Sequence, residues 1–148
     1  MTKDRFKLNQ VLNLRQEVEK VRQIEFIAAR GELERAEEHL RREEQEAERL
    51  VREIIEKQQD GILAVELQLY ANFSHRKKND IEQQRVKVDT LDRRVAEKRE
   101  TLLTASKDKK VLESFKEKRV AAHKQELAGK EREFMDEISI QNNGRSKQ

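Results

Sequence analysis

The stretch KQQDGILAVELQLYANF, residues 57–73, decides how this chain folds. Asp60-Gly61 is its strongest turn signal, because Asp caps turns with its own side chain and Gly tolerates positive φ. On either side lie long segments rich in Glu, Lys, Arg, Gln and Leu, all good helix formers, and Pro is absent from the whole sequence. Two helical arms joined by one short turn bury their apolar stripes by folding back on each other. The expected fold class is therefore all-α: a long antiparallel two-helix coiled-coil hairpin, stalk-like in form. Helix 1 is expected over about 3–59, the turn at about 60–63 and helix 2 over about 64–140, as a single domain spanning 1–148. At ~1.5 Å rise per residue the first arm is on the order of 85 Å long, and the second is longer, so its C-terminal piece overhangs. The polar tail QNNGRSKQ, 141–148, is expected to be disordered.

Composition supports helices over a globule. Charged residues make up 43% of the chain and hydrophobic ones only 34%, too little apolar surface to offset the ordering entropy of a compact core. The alternative class, a disordered polyelectrolyte, fits poorly with four Gly and no Pro. The net charge of +3 is a small excess of 33 bases over 30 acids and gives little reason to expect a polyanion partner. No Cys is present, which excludes disulfides and thiolate metal sites. MTKDRFKLNQ has no apolar signal core, and no apolar run approaches the ~18 residues of a membrane span. A cytoplasmic protein without membrane insertion is expected.

Apolar residues mark two seams. In helix 1, Val11, Leu14, Val18 and Val21 recur at three and four; the stripe then slips by one position and resumes at Phe26, Ala29, Leu33, Ala36, Leu40, Ala47, Leu50 and Ile54. Glu43 sits in a seam slot. Gly31, near the slip, suggests a bend or a close helix approach. In helix 2 the seam is Ile81, Val88, Leu91, Val95, Leu102, Ala105 and Leu112, with Gln84, Lys98 and Lys109 in intervening slots. The overhang LAGKEREFMDEISI keeps Leu127, Phe134 and Ile138 at helical spacing with nothing obviously opposite. Around the turn, Ile62, Leu63, Val65, Leu67, Leu69, Tyr70 and Phe73 either cap the coil or form a sticky tip for a partner.

Catalysis needs groups held in a sheltered site, and a two-helix hairpin is expected to have no such cavity. His39, His75 and His123 lack metal-motif spacing, no phosphate loop or nucleophile elbow is present, and no cofactor is expected. Nucleic-acid binding competes more seriously. Ser74 to Lys124 carries sixteen bases against nine acids, while Gly31 to Asp60 carries eleven acids against six bases. A basic arm beside an acidic arm cancels much of its own field, and no DNA-reading motif is recognisable. The dense basic stretch KDKKVLESFKEKR, 107–119, reads as a helix with Leu112 and Phe115 inward and Lys109, Lys110, Lys116 and Arg119 outward.

Four stretches together resemble the FliJ family, small coiled-coil components of the bacterial flagellar type III export apparatus. These are FKLNQVLNLRQEVEK, DGILAVELQLYANF, KDKKVLESFKEKR and EREFMDEISI, in an order and spacing that cover essentially the whole chain. The resemblance implies an antiparallel coiled coil, similar to the stalk subunit of rotary ATPases, that engages the central hole of the hexameric flagellar export ATPase. It also implies contact with the cytoplasmic region of the export gate membrane protein and with export chaperones, on the cytoplasmic side of the membrane. Carried over by position, Tyr70 and Phe73 match the family's aromatic pair after the turn, and Lys110, Leu112, Phe115, Lys116 and Arg119 its basic signature. SHRKKND, following Phe73, is more polar than the family pattern. A generic coiled-coil scaffold and a basic nucleic-acid-binding rod stay open as alternatives.

Overall fold

The computed structural model describes residues 2–146, with side chains from 3 to 145. It contains α1 (Thr2–Asp60) and α2 (Ala64–Ser146), and no strand among the described residues. The fold is a helical hairpin. α1 ends where Gly61 takes φ +94°, the left-handed position that closes a helix and that only Gly adopts freely. The Leu67 amide then donates to the Leu63 carbonyl at 3.0 Å and opens the first turn of α2.

α2 does not stop near residue 140. It runs on to Ser146, so the tail expected to be disordered is helical through 146, and Lys147 and Gln148 lie outside the described residues. The reason is local: no Pro follows to end the helix, and Asn and Gly lower helix propensity without abolishing it.

The helices pair within two compact units. The turn unit comprises Lys20–Thr104; the terminal unit comprises Met1–Glu19 and Ala105–Gln148. In the turn unit the buried residues are Ala29, Ala36, Leu50, Ile81 and Val95, and Phe26, Leu33, Leu40, Ile54, Val88 and Leu91 flank them half-buried. Among the described residues the terminal unit buries only Leu12 and Ala105. The α2 seam is thus the one its apolar spacing indicates.

The first part of the α1 seam differs from the expectation except at Val18, which is half-buried. Val11, Leu14 and Val21 are 42%, 59% and 52% exposed. Leu8, Leu12 and Glu19 face α2 in the terminal unit, and Arg22, Glu25 and Phe26 do so in the turn unit. There is no register slip: from Glu19 onward the positions turned to α2 recur at three and four through Arg22, Phe26, Ala29 and Leu33. An apolar-only reading misses this because charged residues hold seam slots, Glu19 and Glu25 by pairing across the helices and Arg22 by pairing with Glu25 along α1. Gly31 is not a bend either: α1 is continuous there, and a Cβ at Gly31 would meet only the Arg35 side chain at 3.5 Å, an ordinary contact.

Candidate partner-binding surface

Ionic layers interrupt both seams. In the turn unit Lys77, a seam residue of α2 with only 11% of its side chain exposed, reaches Glu43 at 2.6 Å and also Glu46. The contact with Glu43 is ionic rather than a well-angled hydrogen bond, since its buried Oε2 lacks an aligned donor. Glu43 and then Glu46 raise the Lys77 ammonium above its ordinary value, and Lys77 lowers the Glu46 carboxyl. A second layer joins Lys98 to Glu25 at 3.4 Å, with Arg22 at 3.1 Å; Arg22 first and Lys98 next hold the Glu25 carboxyl low. Gln84 donates to the Ala36 carbonyl at 3.1 Å between them. In the terminal unit Lys109 meets Glu19 at 3.0 Å; this bond, helped by Ser106, lowers the Glu19 carboxyl and raises Lys109.

These layers reorder the basic stretch of α2. Lys109 points inward, half-buried on Glu19, not outward. Leu112 is half-buried as expected, but Phe115 is 50% exposed and takes the Arg119 guanidinium over its ring at 5.7 Å. Heptad spacing explains the change: the seam runs Ala105, Lys109, Leu112, Lys116, so Phe115 falls one step off the line and Lys116 on it. Lys110 is exposed; Arg119 is exposed and reaches Asp4 at 3.7 Å.

Beyond Leu112 the seam loses its apolar fill. Lys116, Val120 and His123 of α2 face Arg5, Leu8 and Asn9 of α1, and an open cleft of about 590 Å³ lies among them, extending to Arg119, Ala122 and Glu126. The absence of a cavity expected of a two-helix hairpin is therefore corrected. The floor is apolar and the walls carry three permanent cations. Arg5 and Lys116 make no ion pair among the described residues. Sequence reasoning passed over Arg5 and Val120 and weighed His123 only as a metal ligand; extending the α2 heptad past Leu112 would have placed Val120 and His123 on the seam.

In the turn unit Tyr70 is half-buried, with the Lys57 ammonium 4.9 Å from its ring centroid. Tyr70 therefore ties the end of α1 to the start of α2. Phe73 is 49% exposed, and Leu63, Val65 and Leu69 are 70%, 73% and 63% exposed. Leu63, Val65, Leu69 and Phe73 do not close over the turn, whereas Ile62 and Tyr70 are half-buried.

Among the described residues no group of carboxylates, His or Cys is arranged to hold a metal. The cation clusters that a polyanion would use are partly spent: Lys77, Lys98 and Lys109 are each committed to a carboxylate across the seam.

The comparison with known families gives the chain a family. The family model described as flagellar FliJ protein matches residues 4–148. The chain belongs to the FliJ family. Neither a curated protein nor a solved structure matches it. FliJ membership makes the chain a flagellar, export-related protein of a structural and accessory family. No helix among the described residues is long and apolar enough to cross a membrane.

Proposed function

We propose that this FliJ-family protein acts in flagellar protein export as a helical hairpin without an active site or cofactor of its own. In this reading it engages the ring of the export ATPase, contacts the cytoplasmic region of the export gate and handles export chaperones, associating peripherally with the cytoplasmic side of the membrane. The observation that carries the reading is the family match across residues 4–148. Lys110, Lys116 and Arg119, with the Leu112–Phe115 stretch that presents them, would meet acidic or carbonyl-rich surfaces of the ATPase. Exposed charges of this kind steer association and set orientation, each isolated pair contributing ~1 kcal/mol or less.

The test is stimulation of the flagellar export ATPase. One charge reversal is expected to change little, whereas Lys110→Glu, Lys116→Glu and Arg119→Glu together are expected to remove stimulation while circular dichroism stays near that of the parent. A folded triple variant that stimulates normally sinks the assignment. For the gate, Phe73→Ala is expected to weaken binding more than Tyr70→Ala, because Phe73 is the more exposed ring and Tyr70 is held under Lys57. Equal and intact gate binding by both variants would confine the pair to a structural role.

A further inference from the structure

The terminal unit holds a basic cleft and, on the same helix, an acidic apolar segment with no partner among the described residues. α2 from Glu131 to Ile140 is exposed throughout, including Phe134 at 62%, Met135 at 67% and Ile138 at 38%. EREFMDE, residues 131–137, carries four acids against one base. The cleft presents Arg5, Lys116, Arg119 and His123 over Leu8 and Val120. Each feature has what the other lacks. A helix cannot fold back into a cleft beside its own axis without breaking, so the complementary segment must come from another molecule.

We propose that this surface is an isologous dimer interface: the C-terminal overhang of each copy fills the cleft of the other. The two α2 helices run antiparallel and cross at Leu127. That register sets Phe134 and Ile138 of one copy over Val120 and Lys116 of its partner, with Asp136 and Glu137 beside Arg119 and Arg5 and with Glu131 beside His123. A two-fold axis makes each pairing occur twice, which is how a small patch becomes an adequate interface. The overlap spans ~35 Å of helix at ~1.5 Å per residue. Ala128 and Gly129 adjoin the crossing point, and a Cβ at Gly129 would meet nothing within 4 Å, so the second helix can approach closely there. Salt-sensitive charge pairs rim a small apolar centre, the composition of a reversible interface rather than an obligate one. The inference does not rest on the export reading, and Lys110, outside the cleft, belongs only to that reading.

Sedimentation velocity of the full chain across a concentration series is expected to show a reversible monomer–dimer equilibrium that weakens with salt. Lys116→Glu with Arg119→Glu, or Asp136→Lys with Glu137→Lys, is expected to raise the dimer Kd at least about tenfold, and combining the four to restore most of it. Lys110→Glu leaves it unchanged. Because the chain has no cysteine, register can be read directly: Leu127→Cys is expected to form a disulfide-linked dimer under mild oxidation, and Ile138→Cys is not. A chain that stays monomeric at every concentration overturns the proposal. So does a dimer untouched by either charge reversal, or one that crosslinks at Ile138→Cys and not at Leu127→Cys. Every variant lies at an exposed or half-buried position, and circular dichroism confirms folding before the result is read.

Discussion

The turn unit and the terminal unit follow the same heptad rule with different fillings. In the turn unit the seam is closed by Ala29 and Ala36 on α1 and by Ile81 and Val95 on α2, each no more than 9% exposed. Its charged slots are answered across the interface, Lys77 by Glu43 and Lys98 by Glu25. In the terminal unit Leu12, Ala105 and the Glu19–Lys109 pair do the same work, and then the pattern changes: Lys116 and His123 take seam slots opposite Arg5, Leu8 and Asn9, and a cleft opens. What separates the closed seam from the open one here is not composition, since both are highly charged. It is whether the opposite helix supplies a partner for each charge.

The sharpest way to test that contrast is to place an unanswered charge in each unit. Val95→Asp buries a carboxylate with no partner and is expected to cost several kcal/mol and unfold the hairpin broadly. Leu12→Asp is expected to loosen chiefly the terminal unit, visible as faster amide exchange over residues 3–19 and 105–120 with protection retained around Ala36 and Ile81. Unchanged helicity and melting in Val95→Asp would mean that the seam is assigned to the wrong face.

Removing a paired cation and an unpaired one gives the next largest difference. Lys77→Met strands Glu43, whose Oε2 is already buried, and is expected to cost about 1–3 kcal/mol in thermal or denaturant unfolding. Lys116→Met, which strands no carboxylate, is expected to be neutral or slightly stabilising. Equal losses in the two variants would remove the distinction between the units.

Two glycines bracket smaller effects of opposite sign. Gly61 has φ +94°, so Gly61→Ala is expected to cost about 1 kcal/mol through backbone strain alone. Gly31 is helical with room for a Cβ, so Gly31→Ala is expected to raise stability by roughly 0.5–1 kcal/mol. A destabilised Gly31→Ala variant would indicate a functional bend that the packing does not require.

The smallest effects belong to the solvent-screened ion pairs. Glu19, Glu25 and Glu46 are held below their ordinary 4.5 by Lys109, Arg22 and Lys77 respectively. A carboxyl lowered on folding contributes stability that is complete above 4.5 and is lost as pH falls through the folded value. Lys77 and Lys109 are raised above 10.5, so their contribution is complete below 10.5 and is lost as pH rises through the folded value. Melting temperature is expected to be flat from about pH 6 to 9 and to decline on both sides, with the acid limb shallower in Lys77→Met. A melting temperature that rises on acidification would contradict the pairing.

The resemblance to a family could be read from four short stretches, and the fold from less. Asp60-Gly61 between two Pro-free arms specifies a two-helix hairpin, because a helix interrupted once by a left-handed Gly has one way to bury two stripes. The α2 seam from Ile81 to Leu112 was equally legible, since its apolar residues alone keep the heptad. Tertiary structure decided what pairwise chemistry controls. Val11, Leu14 and Val21 have the spacing of a seam and are exposed, while Glu19, Arg22 and Glu25 are turned inward. Glu19 and Glu25 are held in the interface by Lys109 and Lys98 opposite them, and the residue opposite is known only once the two helices are aligned. The same fact hid the cleft: an empty space between helices is a property of two facing sequences, and neither one alone contains it.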